Sequence, residues 1–157
     1  MIESCMNYLT MDSPIGNLTI VAVDDFITNL YFDGEYPLNI PQSPACGTLK
    51  RAQTQLGEYF AGTRKVFELP LKPKGGEFFQ RVWQIMQDNV PYGTTASYQS
   101  IAALAGNPRA SRAVGMANNR NPIAIIIPCH RIVGKNGNLT GFRGGLSIKE
   151  KLLILEK

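Results

Sequence analysis

Residues 70–76, Pro-Leu-Lys-Pro-Lys-Gly-Gly, limit what this chain can fold into more than any other stretch. Proline cannot donate to a ladder or continue a helix, and paired glycines lose the most entropy on ordering, so these residues read as a linker that no regular element crosses. The chain is expected to divide into modules 1–75 and 76–157, and the two carry different patterns. Before the break, residues 18–23 and 27–32 are β-branched and aromatic runs parted by Asp24-Asp25, with Pro and Gly turn signals in residues 10–17. They predict a small antiparallel meander. Residues 34–47 contain three prolines and read as a loop. Residues 48–61 then place Leu49, Ala52, Leu56, Tyr59 and Phe60 on one helical face, and residues 65–69 predict an edge strand.

Past the break the period is helical. Phe78, Val82, Ile85 and Met86 share a face, so residues 77–89 predict a helix closed by Val90-Pro91-Tyr92-Gly93. Ser97 suits the N-cap of a helix over 98–105, Gly106 its C-terminal cap, and Asn107-Pro108 the start of another. Two short helices joined by a tight turn are the outline of a helix-turn-helix, which serves DNA binding or plain helical packing. On the second, Arg109, Arg112, Met116 and Asn119 align at helical spacing, while Ala110, Ser111, Ala113, Gly115 and Ala117 let the backbone approach either a groove or another helix. The fold class expected is α/β (α+β), with an N-terminal sheet module followed by a helix-turn-helix module.

Charge follows the same division. Residues 1–75 hold six Lys/Arg against eight Asp/Glu, and residues 76–157 hold ten against four. Between Asn89 and Ser147 there is no acidic residue, whereas Arg109, Arg112, Arg120, Arg131, Lys135 and Arg143 all lie there. A one-signed face of this kind suits a polyanion or stands as a solvated basic surface. Cys5, Cys46 and Cys129 are an odd, scattered set beside a single His, which disfavours a disulfide framework and a zinc site and points to a reducing cytoplasmic or nuclear compartment. Residues 1–10 carry Glu3 and no basic run ahead of an apolar stretch, and the aliphatic run 123–127 is too short to span a bilayer, so neither export nor a membrane is expected.

The candidate chemistry is at Cys129-His130-Arg131. Residues 123–127 read as a fully buried strand whose ladder Pro128 stops. A thiol of ordinary pKa is mostly protonated at neutral pH, so a nucleophile here needs a base or positive charge, for which His130 and Arg131 stand adjacent. Neighbouring side chains on an extended chain diverge, so His130 reaches Cys129 only if the backbone turns or a water bridges them. The alternative is a small buried apolar residue. In the last helix, expected over 148–156 from a Ser147/Glu150 capping box, Ile148, Leu152 and Leu155 mark the apolar face. Glu156 falls on that face, either directed inward to the imidazole or in water at a frayed end.

These residues together carry a resemblance. Ile127-Pro128-Cys129-His130-Arg131-Ile132-Val133 resembles the active-site motif of the O6-alkylguanine-DNA alkyltransferases, the methylated-DNA–protein-cysteine methyltransferases. The likeness extends through residues 78–83, Val90-Pro91-Tyr92-Gly93-Thr94, Ser97-Tyr98, Arg112-Ala113-Val114-Gly115, Asn121-Pro122, residues 141–145, Lys149 and Leu152-Leu153. It implies a ribonuclease-H-like domain over 1–75 and a winged-helix-like domain for DNA binding and alkyl transfer over 76–157. It implies Cys129 as alkyl acceptor, His130 as its base through a water, Glu156 orienting the imidazole, Tyr98 donating to guanine N3, and Asn121 bracing the turn. Arg112 would fill the gap left by the flipped nucleotide, and Ala110, Ser111 and Gly115 would lie against the minor groove. Ile132, Phe142 and Arg143 would line the base pocket, where Arg143 departs from the small residue usual in the family. The expected protein is a monomer that acts once on double-stranded DNA containing O6-alkylguanine, with no cofactor, no metal and no membrane. Three rivals remain at this point: a lesion-binding protein without transfer, against which Cys129 argues; a helix-turn-helix transcription factor; and a Cys-His hydrolase.

Overall fold

A computed structural model describes residues 6–35 and 46–157. Cys5, Glu3 and most of the proline-rich loop 34–47 lie outside the described residues. The chain divides into two compact units, Met1–Lys74 and Gly75–Lys157. The fold is mixed α/β, with a small antiparallel sheet in the first unit and a mainly helical second unit.

In the first unit, β1 (Met6–Met11), β2 (Leu18–Val23) and β3 (Phe26–Tyr31) form an antiparallel sheet in the order β1-β2-β3. Asp24 and Asp25 make the β2–β3 hairpin with φ of 50° and 68°, the left-handed pair that matches strand twist. Helix α1 (Gly47–Phe60) buries Leu49, Ala52, Leu56 and Tyr59. With Leu18, Ile20, Ile27 and Leu30 they make up the unit's core. The edge strand expected over 65–69 does not form. Gln55 takes both backbone groups of Glu68 with its own amide (3.2 and 2.9 Å). Pairing is reduced to the bonds Ile27 N–H makes to the Pro70 carbonyl and Lys72 N–H to the Ile27 carbonyl, each 2.8 Å. Prolines at 70 and 73 leave too few donors for a longer ladder.

The second unit opens on α2 (Glu77–Asn89), the span that the apolar spacing predicts. Its Trp83 is buried and donates to the Ala117 carbonyl at 2.8 Å. Gly75 admits no side chain, because a Cβ there would come within 2.5 Å of Trp83 Cη2. Two-residue strands β4 (Ala96–Ser97) and β5 (Ile132–Val133) pair in parallel. Helix α3 (Tyr98–Leu104) starts at a reciprocal Ser97/Ser100 capping box and ends before Gly106, whose φ of +92° a side chain would resist.

Helix α4 (Ser111–Asn119) starts later than Asn107-Pro108 predicts. Asn107 instead closes a turn: its side chain accepts from Arg109 N–H (3.1 Å) and its carbonyl from Ala110 N–H (3.0 Å). This local Asx turn competes with the cap and wins, which takes Arg109 off the helix and leaves Arg112, Met116 and Asn119 as the exposed stripe.

Helix α5 (Leu146–Leu155) follows Gly145 without a side-chain cap, so Ser147 lies within the helix rather than capping it. Its buried residues are Lys149 and Leu152, followed by buried Glu156 at the C-cap; Leu152 and an inward Glu156 are as expected, whereas Ile148 and Leu155 are half-buried and Lys149 faces in. No helix among the described residues is long and apolar enough to cross a membrane.

Candidate active site

The approach to Cys129 is a buried turn, not the strand that the aliphatic run predicts. Ile123, Ala124, Ile125, Ile126 and Ile127 are buried, but Ile127 N–H bonds back to the Ile123 carbonyl (3.0 Å) and Ile126 N–H to the Ala124 carbonyl (2.9 Å). Ile125 sits at φ +74°, an unfavourable place for a β-branched residue. Asn121 holds the turn closed. Its Nδ2 donates to the Ile127 carbonyl and its Oδ1 accepts from Ile123 N–H, both at 2.9 Å and both buried.

Pro128 leads into one 3-10 turn, Cys129–Arg131, so the backbone bends where Cys129 and His130 would otherwise diverge. Both side chains are buried. His130 Nε2 lies 2.6 Å from Glu156 Oε2. That bond to a carboxylate makes Nε2 the protonated nitrogen and leaves the Nδ1 lone pair free. Nδ1 is buried and bonded to no protein group among the described residues.

Glu156 has a second buried partner. Arg131 donates from Nε to Oε1 (2.8 Å) and from Nη2 to Oε2 (3.1 Å), and from Nη1 to the Val90 carbonyl (2.9 Å). Its guanidinium also lies 5.8 Å from the Tyr92 ring centroid. The sequence offers Arg131 as a candidate activator of the thiol; the fold instead commits it to the carboxylate.

Burial pushes the Cys129 thiol up, opposed by a hydrogen bond from Asn121 and by the positive charges of Arg143 and Lys149. Burial likewise holds the His130 imidazole below its ordinary value, against the pull of Glu156 and with Arg131 and Lys149 adding to the fall. The resting pair is therefore neutral, with imidazole as a proton acceptor. Lys149 is pushed down by burial and donates to the Ile132 carbonyl at 2.6 Å. The sequence names Lys149 only as part of the resemblance and gives it no role; its place on one stripe with Leu152 and Glu156 is the signal for its inward position.

Tyr98 opens α3, and its hydroxyl is 2.6 Å from Thr140 Oγ1. A Cβ on Gly115 would lie 4.0 Å from the Tyr98 ring, so α4 comes close to that ring with little between. Ala110 immediately precedes α4, Ser111 begins it, and Arg112 is exposed on it. The Cys129 carbonyl accepts from Ile132 N–H, and the Ile132 carbonyl from Lys149 Nζ. Phe142 and Arg143 are half-buried in the segment before α5. The structure thus brings Cys129, His130, Glu156 and Asn121 around one turn, with Arg112 on the outer face of α4. Among the described residues no group of three or more His, Cys, Asp or Glu side chains is placed to hold a metal.

Two family models match. The 6-O-methylguanine DNA methyltransferase ribonuclease-like domain covers residues 6–73, and the DNA binding domain of the same name covers residues 77–157. The methylated-DNA–protein-cysteine methyltransferase of Methanosarcina acetivorans is 46% identical over 154 residues, covering 96% of this chain and 98% of its own length. The constitutive enzyme of that name from Bacillus subtilis is 44% identical over 157 residues, covering 96% and 94%. The crystal structure of Mycobacterium tuberculosis OGT in complex with DNA is 46% identical, with a TM-score of 0.88 over 96% of this chain and 92% of that one. With both halves matched and relatives aligned over nearly their whole length, the chain belongs to the methylated-DNA–protein-cysteine methyltransferase family.

Proposed function

We propose that this protein repairs double-stranded DNA by moving the alkyl group of O6-alkylguanine irreversibly onto its own Cys129, restoring guanine, once per molecule. The observation that carries the reading is the buried hydrogen-bonded sequence Glu156–His130, whose open Nδ1 adjoins the Cys129 turn. Through a bridging water, Nδ1 takes the Cys129 proton. The imidazolium so formed is stabilised by Glu156, which Arg131 fixes in orientation. The sulfur electron pair then attacks the alkyl carbon in line, the carbon–O6 bond breaks, and Tyr98 passes its proton to guanine N3 so that a neutral base leaves. A thioether offers no leaving group for a return step, which makes the protein a single-use reagent needing no cofactor.

The alkyl carbon is inaccessible inside a base stack, so the nucleotide is rotated out through the minor groove at a cost of about a few kcal/mol. Arg112 enters the gap, while Ala110, Ser111 and Gly115 keep the start of α4 slim enough to lie against the sugar-phosphate walls. Ile132, Phe142 and Arg143 line the base pocket, and Asn121 keeps Cys129 at its mouth. On this reading residues 76–157 bind DNA and transfer the alkyl group, residues 1–75 are the ribonuclease-H-like domain, and the protein works as a monomer in the cytoplasm, or in the nucleus of a eukaryote.

Intact and peptide mass spectrometry after incubation with a duplex carrying one O6-methylguanine tests it. One added methyl on the Cys129 peptide, with guanine restored and no second turnover, is expected. An unmodified protein that still binds the lesion overturns transfer. Cys129→Ser should bind the lesion without transfer, and Arg112→Ala should slow reaction with duplex far more than with the free base.

A further inference from the structure

Thr140 lies in the segment between β5 and α5, and its hydroxyl is aimed at the phenol of Tyr98. Its Oγ1 stands 2.6 Å from Tyr98 Oη across 42 residues of sequence. Packing and hydrogen bonding both fix its direction. A Cβ on Gly134 would come within 3.0 Å of Thr140 Cγ2, so the threonine methyl rests on a bare backbone. The Thr140 carbonyl accepts from Lys149 Nζ at 3.3 Å, and the same ammonium bonds the Ile132 carbonyl at 2.6 Å. Lys149 is fully buried, so this grip ties Thr140 to β5 and to α5 at once. A β-branched side chain with its methyl seated has few χ1 alternatives, which leaves the hydroxyl facing Tyr98. Tyr98 is held in turn by the Ser97/Ser100 capping box at the start of α3.

We propose that Thr140 is a positioning residue for the alkyl transfer: its hydroxyl, seated by Gly134 and by the Lys149 bond to its carbonyl, directs the Tyr98 O–H and stabilises the phenolate that Tyr98 becomes. This rests on the reading of Cys129 as alkyl acceptor with Tyr98 as proton donor. Before reaction the phenol, the stronger acid, donates to Thr140 Oγ1. When guanine N3 arrives, the pair inverts. The S–C bond forms from the thiolate pair, the C–O6 pair stays with the base, the Tyr98 proton moves to N3, and Thr140 O–H turns to donate to the phenolate oxygen. The proton that His130 took from Cys129 then returns to Tyr98 through solvent, so the cycle balances without another reactant. A hydrogen bond to a charged oxygen corresponds to a rate effect of about 10- to 100-fold.

The test is single-turnover transfer to full-length wild type, Thr140→Val and Thr140→Ser, with Trp83 fluorescence confirming that each is folded. Two duplex substrates are used: O6-methylguanine, and its 3-deaza analogue, which has carbon in place of the N3 acceptor. Thr140→Val should be slower by about 10- to 100-fold on O6-methylguanine and equal to wild type on the analogue, and Thr140→Ser should stay within about threefold of wild type on both. Thr140→Val matching wild type on O6-methylguanine, or losing as much on the analogue, overturns the inference. Should Thr140→Val not fold, Thr140→Ser decides, since a rate as low as that of Tyr98→Phe removes the hydroxyl from the mechanism. If wild type transfers nothing to Cys129, it is the functional reading that fails.

Discussion

Replacing Glu156 by Gln tests the centre of the site with a change of one atom. Both carboxylate oxygens are engaged: Oε1 by Arg131 Nε, and Oε2 by His130 Nε2 and Arg131 Nη2, at 2.8, 2.6 and 3.1 Å. A glutamine can place its oxygen at only one of these positions, and its NH2 then faces a donor at the other. Either His130 loses its acceptor or Arg131 Nε does, and in both cases a buried guanidinium is left without its counter-charge. Breaking a buried pair from one side costs about 3–5 kcal/mol. The bond from Arg131 to the Val90 carbonyl and its place over Tyr92 survive, which puts the loss at about 3 kcal/mol.

The assay is urea unfolding followed by Trp83, the chain's one tryptophan, buried in the unit that holds the site. With a slope of about 1 kcal/mol per M for a unit of this size, the midpoint should fall by about 3 M. Under conditions where Trp83 reports a folded variant, transfer should slow by about 10²- to 10⁴-fold, because the imidazolium loses the charge that stabilises it. A midpoint shift under about 0.5 M together with a rate within about threefold of wild type would refute the reasoning.

Three further outcomes follow from the same geometry. His130 is the single histidine, and burial holds it below its ordinary value of about 6.5, so the unfolded chain binds the extra proton first; the His130 contribution to the stability of the second unit should be constant above that pH and should lower stability as pH drops below it, and a Trp83 urea midpoint that rises on acidification through that range would show a protonated resting imidazole instead. Asn121→Ala strands a buried N–H at Ile123 and leaves the Ile127 carbonyl with its bond from Cys129 N–H (2.8 Å), costing about 1–3 kcal/mol in the same unfolding assay; a loss under about 0.5 kcal/mol would mean that the turn holds itself. In native protein at neutral pH, peptide mapping should find half-buried Cys46 labelled by iodoacetamide before Cys129, whose thiol is buried and pushed up; the reverse order would mean a standing thiolate at Cys129.

Local sequence determined the elements whose burial follows a simple period. Helix α2 runs Glu77–Asn89 because Val82, Trp83 and Met86 recur on one side and Val90-Pro91 stops it, and α3 begins where Ser97 can cap it. The β2–β3 hairpin follows from two β-rich runs parted by Asp24-Asp25, and the motif around Cys129 carries the family. Tertiary structure decided the rest of the site. An all-isoleucine and alanine run is equally apolar as strand or turn, and the side chain of Asn121, by taking both ends, selected the turn. Helix α5 is apolar on most sides, so periodicity could not choose its inner face; that was set by acceptors for Lys149 at Ile132 and by donors for Glu156 at His130 and Arg131. Those donors lie 25 and 26 residues away from Glu156. A buried charge is tolerated only where partners far along the chain converge on it, and that convergence is a property of the packed fold that no local pattern encodes.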